Sequence, residues 1–181
     1  HMGLHAATLE DAMPAKGAWV EAAPGSGRFA HTRCAYSAHG SYKEGAMARF
    51  IPGEDVFTEL EKTSSYAIGL FPNISLAMSV DSNNWLSFIP LGPDRTRVIG
   101  GYIVQPGYDA ANPEGAAQRN QLLYDVNEED AQATWRLQKV FRSTKAAPGP
   151  LNVREGTCAQ FYKYLGRTLA GDRLSSLQAA E

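Results

Sequence analysis

Between residues 64 and 105 apolar and polar positions alternate in four short runs, 66–71, 73–80, 84–91 and 96–105, parted by Pro72, Asp81-Ser82-Asn83 and Gly92-Pro93-Asp94-Arg95. Runs of this length bounded by turn formers predict strands, and links this short make neighbouring strands antiparallel. In the last run Thr96, Val98, Gly100, Tyr102 and Val104 share one face and Arg97, Ile99, Gly101 and Ile103 the other, so its second half is apolar on both sides. One face of such a sheet is expected to pack on helices. The other is expected to border a cavity, with Tyr66, Phe71, Trp85, Phe88 and Tyr102 as candidate lining, although an aromatic side chain more often serves a plain core.

On either side of this block the pattern changes. Upstream, 18–21 and 28–36 are β-favouring pieces around Pro24-Gly25-Ser26-Gly27, which predicts a hairpin, and Pro52-Gly53-Glu54-Asp55 is a turn that opens a short helix through Leu60. Downstream the period lengthens to that of a helix. Pro113 suits the first position of a helix running through Leu123, a second helix over 128–143 takes Asn127 as its N-cap, and a last helix over 155–171 carries an apolar stripe of Cys158, Phe161, Tyr162, Leu165 and Leu169. Hairpin, meander and helices in that order predict one α+β domain over 1–181, an antiparallel sheet curved over a long C-terminal helix.

One carboxylate stands out in that pattern. Counting helical steps places Asp130 at the head of a stripe shared with Thr134, Leu137 and Phe141, a face that should turn inward, whereas Glu128 and Glu129 do not share it. A buried carboxylate costs several kcal/mol, about 3–5, unless a cation, a donor cluster or a metal meets it. At the third helical position the same residue also serves as a cap for backbone amides and a partner for the helix dipole. The segment alone leaves both uses open.

Composition then removes whole classes of function. The chain has 181 residues, 44% hydrophobic and 20% charged, enough for one sizeable core. No run approaches the roughly 18 apolar residues of a membrane helix and the N-terminus lacks signal-peptide regions, so a cytoplasmic protein is expected. A net charge of −2 with scattered basic residues gives no case for nucleic acid or anionic membrane, which leaves a small molecule or a protein as partner. Cys34 and Cys158 belong to no paired motif and read as simple thiols. His1 and His5, four apart, converge on one ion if 1–13 is helical, while His1-Met2 also matches the scar of a cleaved expression tag. His31 and His39 have no neighbour at ligand spacing.

The wording of the sequence adds what its periodicity cannot. Tyr66-Ala67-Ile68-Gly69-Leu70-Phe71-Pro72-Asn73, Ile89-Pro90-Leu91-Gly92-Pro93-Asp94-Arg95-Thr96-Arg97, Glu129-Asp130 before Gln138-Lys139-Val140-Phe141-Arg142-Ser143, then Gly149-Pro150-Leu151 and Glu155 leading to Phe161-Tyr162-Lys163-Tyr164-Leu165 occur in that order. Together they resemble the catalytic domain of the Rieske non-haem iron ring-hydroxylating oxygenase large (alpha) subunit. The resemblance implies a helix-grip fold of the START/Bet v1 kind and a mononuclear Fe(II) held by two histidines and one carboxylate. It puts Asp130 in the carboxylate position and makes His1 and His5 the candidate histidines. The family motif carries a tyrosine before its first histidine, a position this chain does not have.

The resemblance also implies O₂ activation beside an aromatic or other apolar small molecule, giving mono- or dihydroxylation or an oxidative demethylation. Electrons would come from a Rieske [2Fe–2S] cluster, served by a reductase, and neither Cys34 nor Cys158 lies in a cluster motif. The expectation is therefore a domain that does not turn over by itself, a fragment of a larger subunit or one relying on another chain's cluster. The family habit of ring-like trimers implies a homotrimer. Two other readings stand beside it, a metal-free helix-grip module that binds a small molecule without transforming it, or a truncated, inactive oxygenase fragment.

Overall fold

The computed structural model describes residues 18–23, 27–35, 57–80, 83–152 and 155–170. Six strands, β1 (Ala18–Ala23), β2 (Phe29–Ala35), β3 (Ser64–Leu70), β4 (Ile74–Met78), β5 (Asn83–Gly92) and β6 (Arg95–Tyr102), pair in sequence order as one antiparallel sheet. The predicted hairpin is β1–β2 and the predicted meander is β3–β6. The expected segment 1–13 and the residues His1, His5 and His39 lie outside the described residues.

Register decides which side chains share a face. Ala30 pairs with Gly69, Gly69 with Ser75, Ser75 with Leu86 and Leu86 with Gly100, so these residues point to one side together with Thr32, Ala67, Ala77 and Val98. His31, Tyr66, Ile68, Leu76, Trp85 and Ile99 point to the other. The first face is built mainly from small residues and the second from large ones. Phe71 folds back over Gly69, where an added Cβ would lie 3.2 Å from its ring, and packs 5.3 Å from Phe161 and 5.4 Å from Tyr164 between ring centroids. Those two aromatics belong to helix α4 (Gly156–Ala170), which therefore lies on the small-residue face, against β2 and β1. Its packing side is Phe161, Tyr164 and Leu165; Cys158, Tyr162 and Leu169 of the expected stripe are exposed. The helix meets the sheet through the Phe71 wedge, which selects a narrower side than hydrophobicity alone suggests.

Helix α1 (Glu59–Lys62) precedes β3 and is closed by a capping box, with the Thr58 amide donating to Glu61 Oε2 at 2.8 Å and the Glu61 amide donating to Thr58 Oγ1 at 3.3 Å. The Thr58 backbone amide, and after it the Thr58 hydroxyl, hold the Glu61 carboxyl below its ordinary pKa. After β6 come the single turn α2 (Tyr108–Ala111) and a long helix α3 (Pro113–Phe141) of 29 residues, about 43 Å at 1.5 Å per residue.

The length of α3 corrects the expectation of two helices. Asn127 is not an N-cap: its Nδ2 donates to the Leu123 carbonyl at 2.8 Å, one turn back. An asparagine whose donor is satisfied inside the helix gives the chain no reason to leave it, and 113–126 is made largely of good helix formers. Pro113 opens the helix as predicted, and Gln121–Asp125 and Gln132–Glu128 hydrogen bonds at 2.8 Å brace it at the four-residue spacing. With α3 and α4 on one face of an open antiparallel sheet, the architecture is α+β of the helix-grip kind. Among the described residues no helix is long and apolar enough to cross a membrane.

Candidate active site

Helix α3 is fastened to the sheet at two points. Near its start Arg119 is only 3% exposed, with its guanidinium 5.2 Å from the centre of the Tyr102 ring and 5.4 Å from that of Tyr108, and Nη2 donating to Asp109 Oδ1 at 2.5 Å. A cation is tolerated there because two ring faces and a carboxylate replace its hydration. Near the end of α3, Arg142 pairs with Asp94 in the turn between β5 and β6. The helix thus runs back along β6 toward the start of that strand.

Between the two fastenings the helix and the sheet stand apart and leave an open groove of about 450 Å³. Leu86, Val98 and Gly100 form its floor, and Leu123, Tyr124, Asn127 and Glu128 form its helix wall. Those four wall residues follow the i, i+1, i+4, i+5 pattern of one helix face. Gly100 keeps the floor low, since a Cβ there would lie 2.4 Å from Leu86 Cδ2 and 2.8 Å from the Trp85 carbonyl oxygen. Any side chain at this position displaces Leu86 or the strand.

Asp130 is half-buried and makes a polar or ionic contact. It lies on a stripe with Arg119, Leu123 and Val126, three residues beyond the wall residue Asn127. The inward stripe therefore reaches Asp130 from the N-terminal side. Thr134, Leu137 and Phe141, expected to continue it inward, are exposed. Asp130 closes a part-buried stripe rather than heading one, because the C-terminal part of α3 carries its apolar side past the groove.

The five aromatics expected to line a cavity are not brought together. Tyr66 and Trp85 point from the face opposite the helices, Phe71 is spent on α4, Tyr102 carries Arg119, and Phe88 is exposed on the helix-bearing face across from Val98. None of them borders the groove. Helices and groove share one face, where the sequence pattern had assigned them one each; small residues there leave room for both. The wall residues Asn127 and Glu128 were missed. Their signal was helical spacing from Leu123 and Tyr124, hidden while the segment was split at Asn127. His1 and His5 lie outside the described residues, and among the described residues no three His, Cys, Asp or Glu side chains converge as a metal cluster.

Comparison with curated proteins gave no match. The family model for the ring hydroxylating alpha subunit (catalytic domain) matches residues 1–171, nearly the whole of the 181-residue chain. On that match, and with a fold that agrees with it, the chain belongs to the family of ring-hydroxylating alpha-subunit catalytic domains.

Proposed function

We propose that this chain is the oxygen-activating domain of a ring-hydroxylating oxygenase, with Asp130, His1 and His5 holding a mononuclear Fe(II) and the groove between α3 and β5–β6 receiving an aromatic or other apolar small molecule. The observation that carries the reading is the family match over residues 1–171. A half-buried carboxylate at Asp130, one helical turn from the groove wall, supports it. The donor types fit the ion: two imidazoles and a carboxylate suit ferrous iron and leave positions open. When bound, the iron supplies O₂ activation, and the net hydroxylation, RH + O₂ + 2e⁻ + 2H⁺ giving ROH + H₂O, takes its electrons from a Rieske [2Fe–2S] cluster outside residues 1–181, fed by a reductase.

The chain's own residues do the rest. Asp130 contributes an anionic ligand from a helix fixed at both ends, so its position does not depend on a loop. Leu86 and Val98 give the groove an apolar floor, and Gly100 sets how closely a ring approaches the sheet. A homotrimer is the assembly to look for by sizing in solution. Anaerobic Fe(II) loading tests the ligand assignment. About one iron per chain is expected, lost in Asp130→Ala and in His5→Ala and retained in Asp125→Ala. Equal retention in Asp130→Ala and Asp125→Ala removes Asp130 from the site.

A further inference from the structure

The two walls of the groove differ in chemistry. The sheet side offers Leu86, Val98 and the bare backbone of Gly100. The helix side offers acceptors. Asn127 commits Nδ2 to the Leu123 carbonyl, which leaves Oδ1 without a partner among the described residues. Glu128 takes one hydrogen bond on Oε1, from Gln132 Nε2 at 2.8 Å, which leaves Oε2 without a partner among the described residues. Both residues are half-buried, so their bonds to water are restricted at the same time.

Along α3 itself the ionisable residues beside this wall have one sign. From Arg119 to Arg136, α3 carries Asp125, Glu128, Glu129 and Asp130 and no basic residue between those two arginines. Arg119 does not offset them at full strength, because Asp109 already neutralises it. The neighbour that braces Glu128 is the neutral Gln132. A bound carboxylate would meet the like charge of Glu128, whose one partner among the described residues is neutral, whereas an N–H or O–H group on an apolar ring would meet two acceptors without a partner among the described residues.

We propose that the groove selects ring compounds bearing a hydrogen-bond donor, an ammonium group above all, and rejects ring carboxylates. The ring lies on Leu86 and Val98 and the donor is shared by Glu128 Oε2 and Asn127 Oδ1. This deepens the oxygenase reading, because it takes the groove as the substrate site and names its substrate class. Iron at Asp130 would neutralise part of the field, and Glu128 and Asn127 would still supply the acceptors.

The test is binding of size-matched probes, 1-naphthylmethylammonium and 1-naphthoate, measured by titration calorimetry at neutral pH on the full chain without added metal. The ammonium probe is expected to bind roughly tenfold more tightly, a difference of about 1.4 kcal/mol. In Glu128→Gln that ratio should fall below about threefold, and in Gly100→Val, with circular dichroism showing the fold intact, both probes should weaken together. Binding that favours naphthoate, no binding of either probe, or a preference unchanged in Glu128→Gln overturns the proposal. The readout needs no iron. Loss of iron binding with the preference intact would therefore defeat the oxygenase reading alone, and iron bound at Asp130 with no preference would defeat the selectivity alone.

Discussion

The two ends of α3 obey the same helical geometry and live in opposite surroundings. In the first half, Arg119, the most polar residue of its stripe, is almost fully buried, while in the second half Trp135, Leu137, Val140 and Phe141 are exposed, Phe141 at 68%. Hydropathy would have ordered these residues the other way round. What decides burial here is what lies opposite among the described residues: two tyrosine rings and Asp109 at one end, and at the other the turn that holds Asp94. Periodicity names the face a helix presents, and the neighbouring elements name what that face touches. Asp130 lies at the change from one regime to the other, which is why it is half-buried.

The contrast between the two ends breaks most easily at Arg119. Arg119→Ala removes the long apolar stem and both ring contacts, and a loss of about 2–3 kcal/mol in urea unfolding is expected. Asp109 is half open to water and is rehydrated, so the loss is mainly packing. Arg119→Met sharpens this point. It keeps the stem and removes the buried Nε that has no hydrogen-bond partner, so about 1 kcal/mol or less should be lost. Equal losses in the two variants would mean that charge, not packing, holds the start of α3.

The other end should respond far less. Asp94→Asn breaks the pair with Arg142, whose partners are 66% and 43% exposed, and should cost below about 1 kcal/mol, with the difference vanishing in 1 M salt. Leu137→Ser should change stability by about 0.5 kcal/mol or less, because its side chain is 51% exposed. A larger loss on dilution-sensitive unfolding would show that this stripe is covered by another copy of the chain.

Much of the sheet was legible from sequence because strands have period two and the turn residues that separate them are locally determined. Pro72 and Pro93-Asp94 fall between the strands they were expected to separate, and Gly92 is the last residue of β5. The join of α3 at Asn127 was not legible, since the same residue caps a helix when its oxygen accepts and continues one when its nitrogen donates. Burial of Arg119 was equally hidden; it depends on Tyr102 and Tyr108 meeting across a turn. The groove wall was missed for a related reason. Which flank of a long helix faces a strand is set by where the helix is fastened, here by Arg119 and Arg142, and neither ion pair is visible in a hydrophobic pattern. Asp130 drew notice through an inward stripe that the fold reverses and, separately, through the family resemblance, and only the second of these still supports its role.

The central claim is that Asp130 completes an iron site with His1 and His5. Iron K-edge X-ray absorption of the anaerobically Fe(II)-loaded chain addresses the ligands themselves. An all nitrogen-and-oxygen shell with imidazole scattering is expected in the unaltered protein, losing an oxygen donor in Asp130→Ala and losing imidazole scattering in His5→Ala. A spectrum without imidazole scattering, or one that Asp130→Ala leaves unchanged, would contradict the claim.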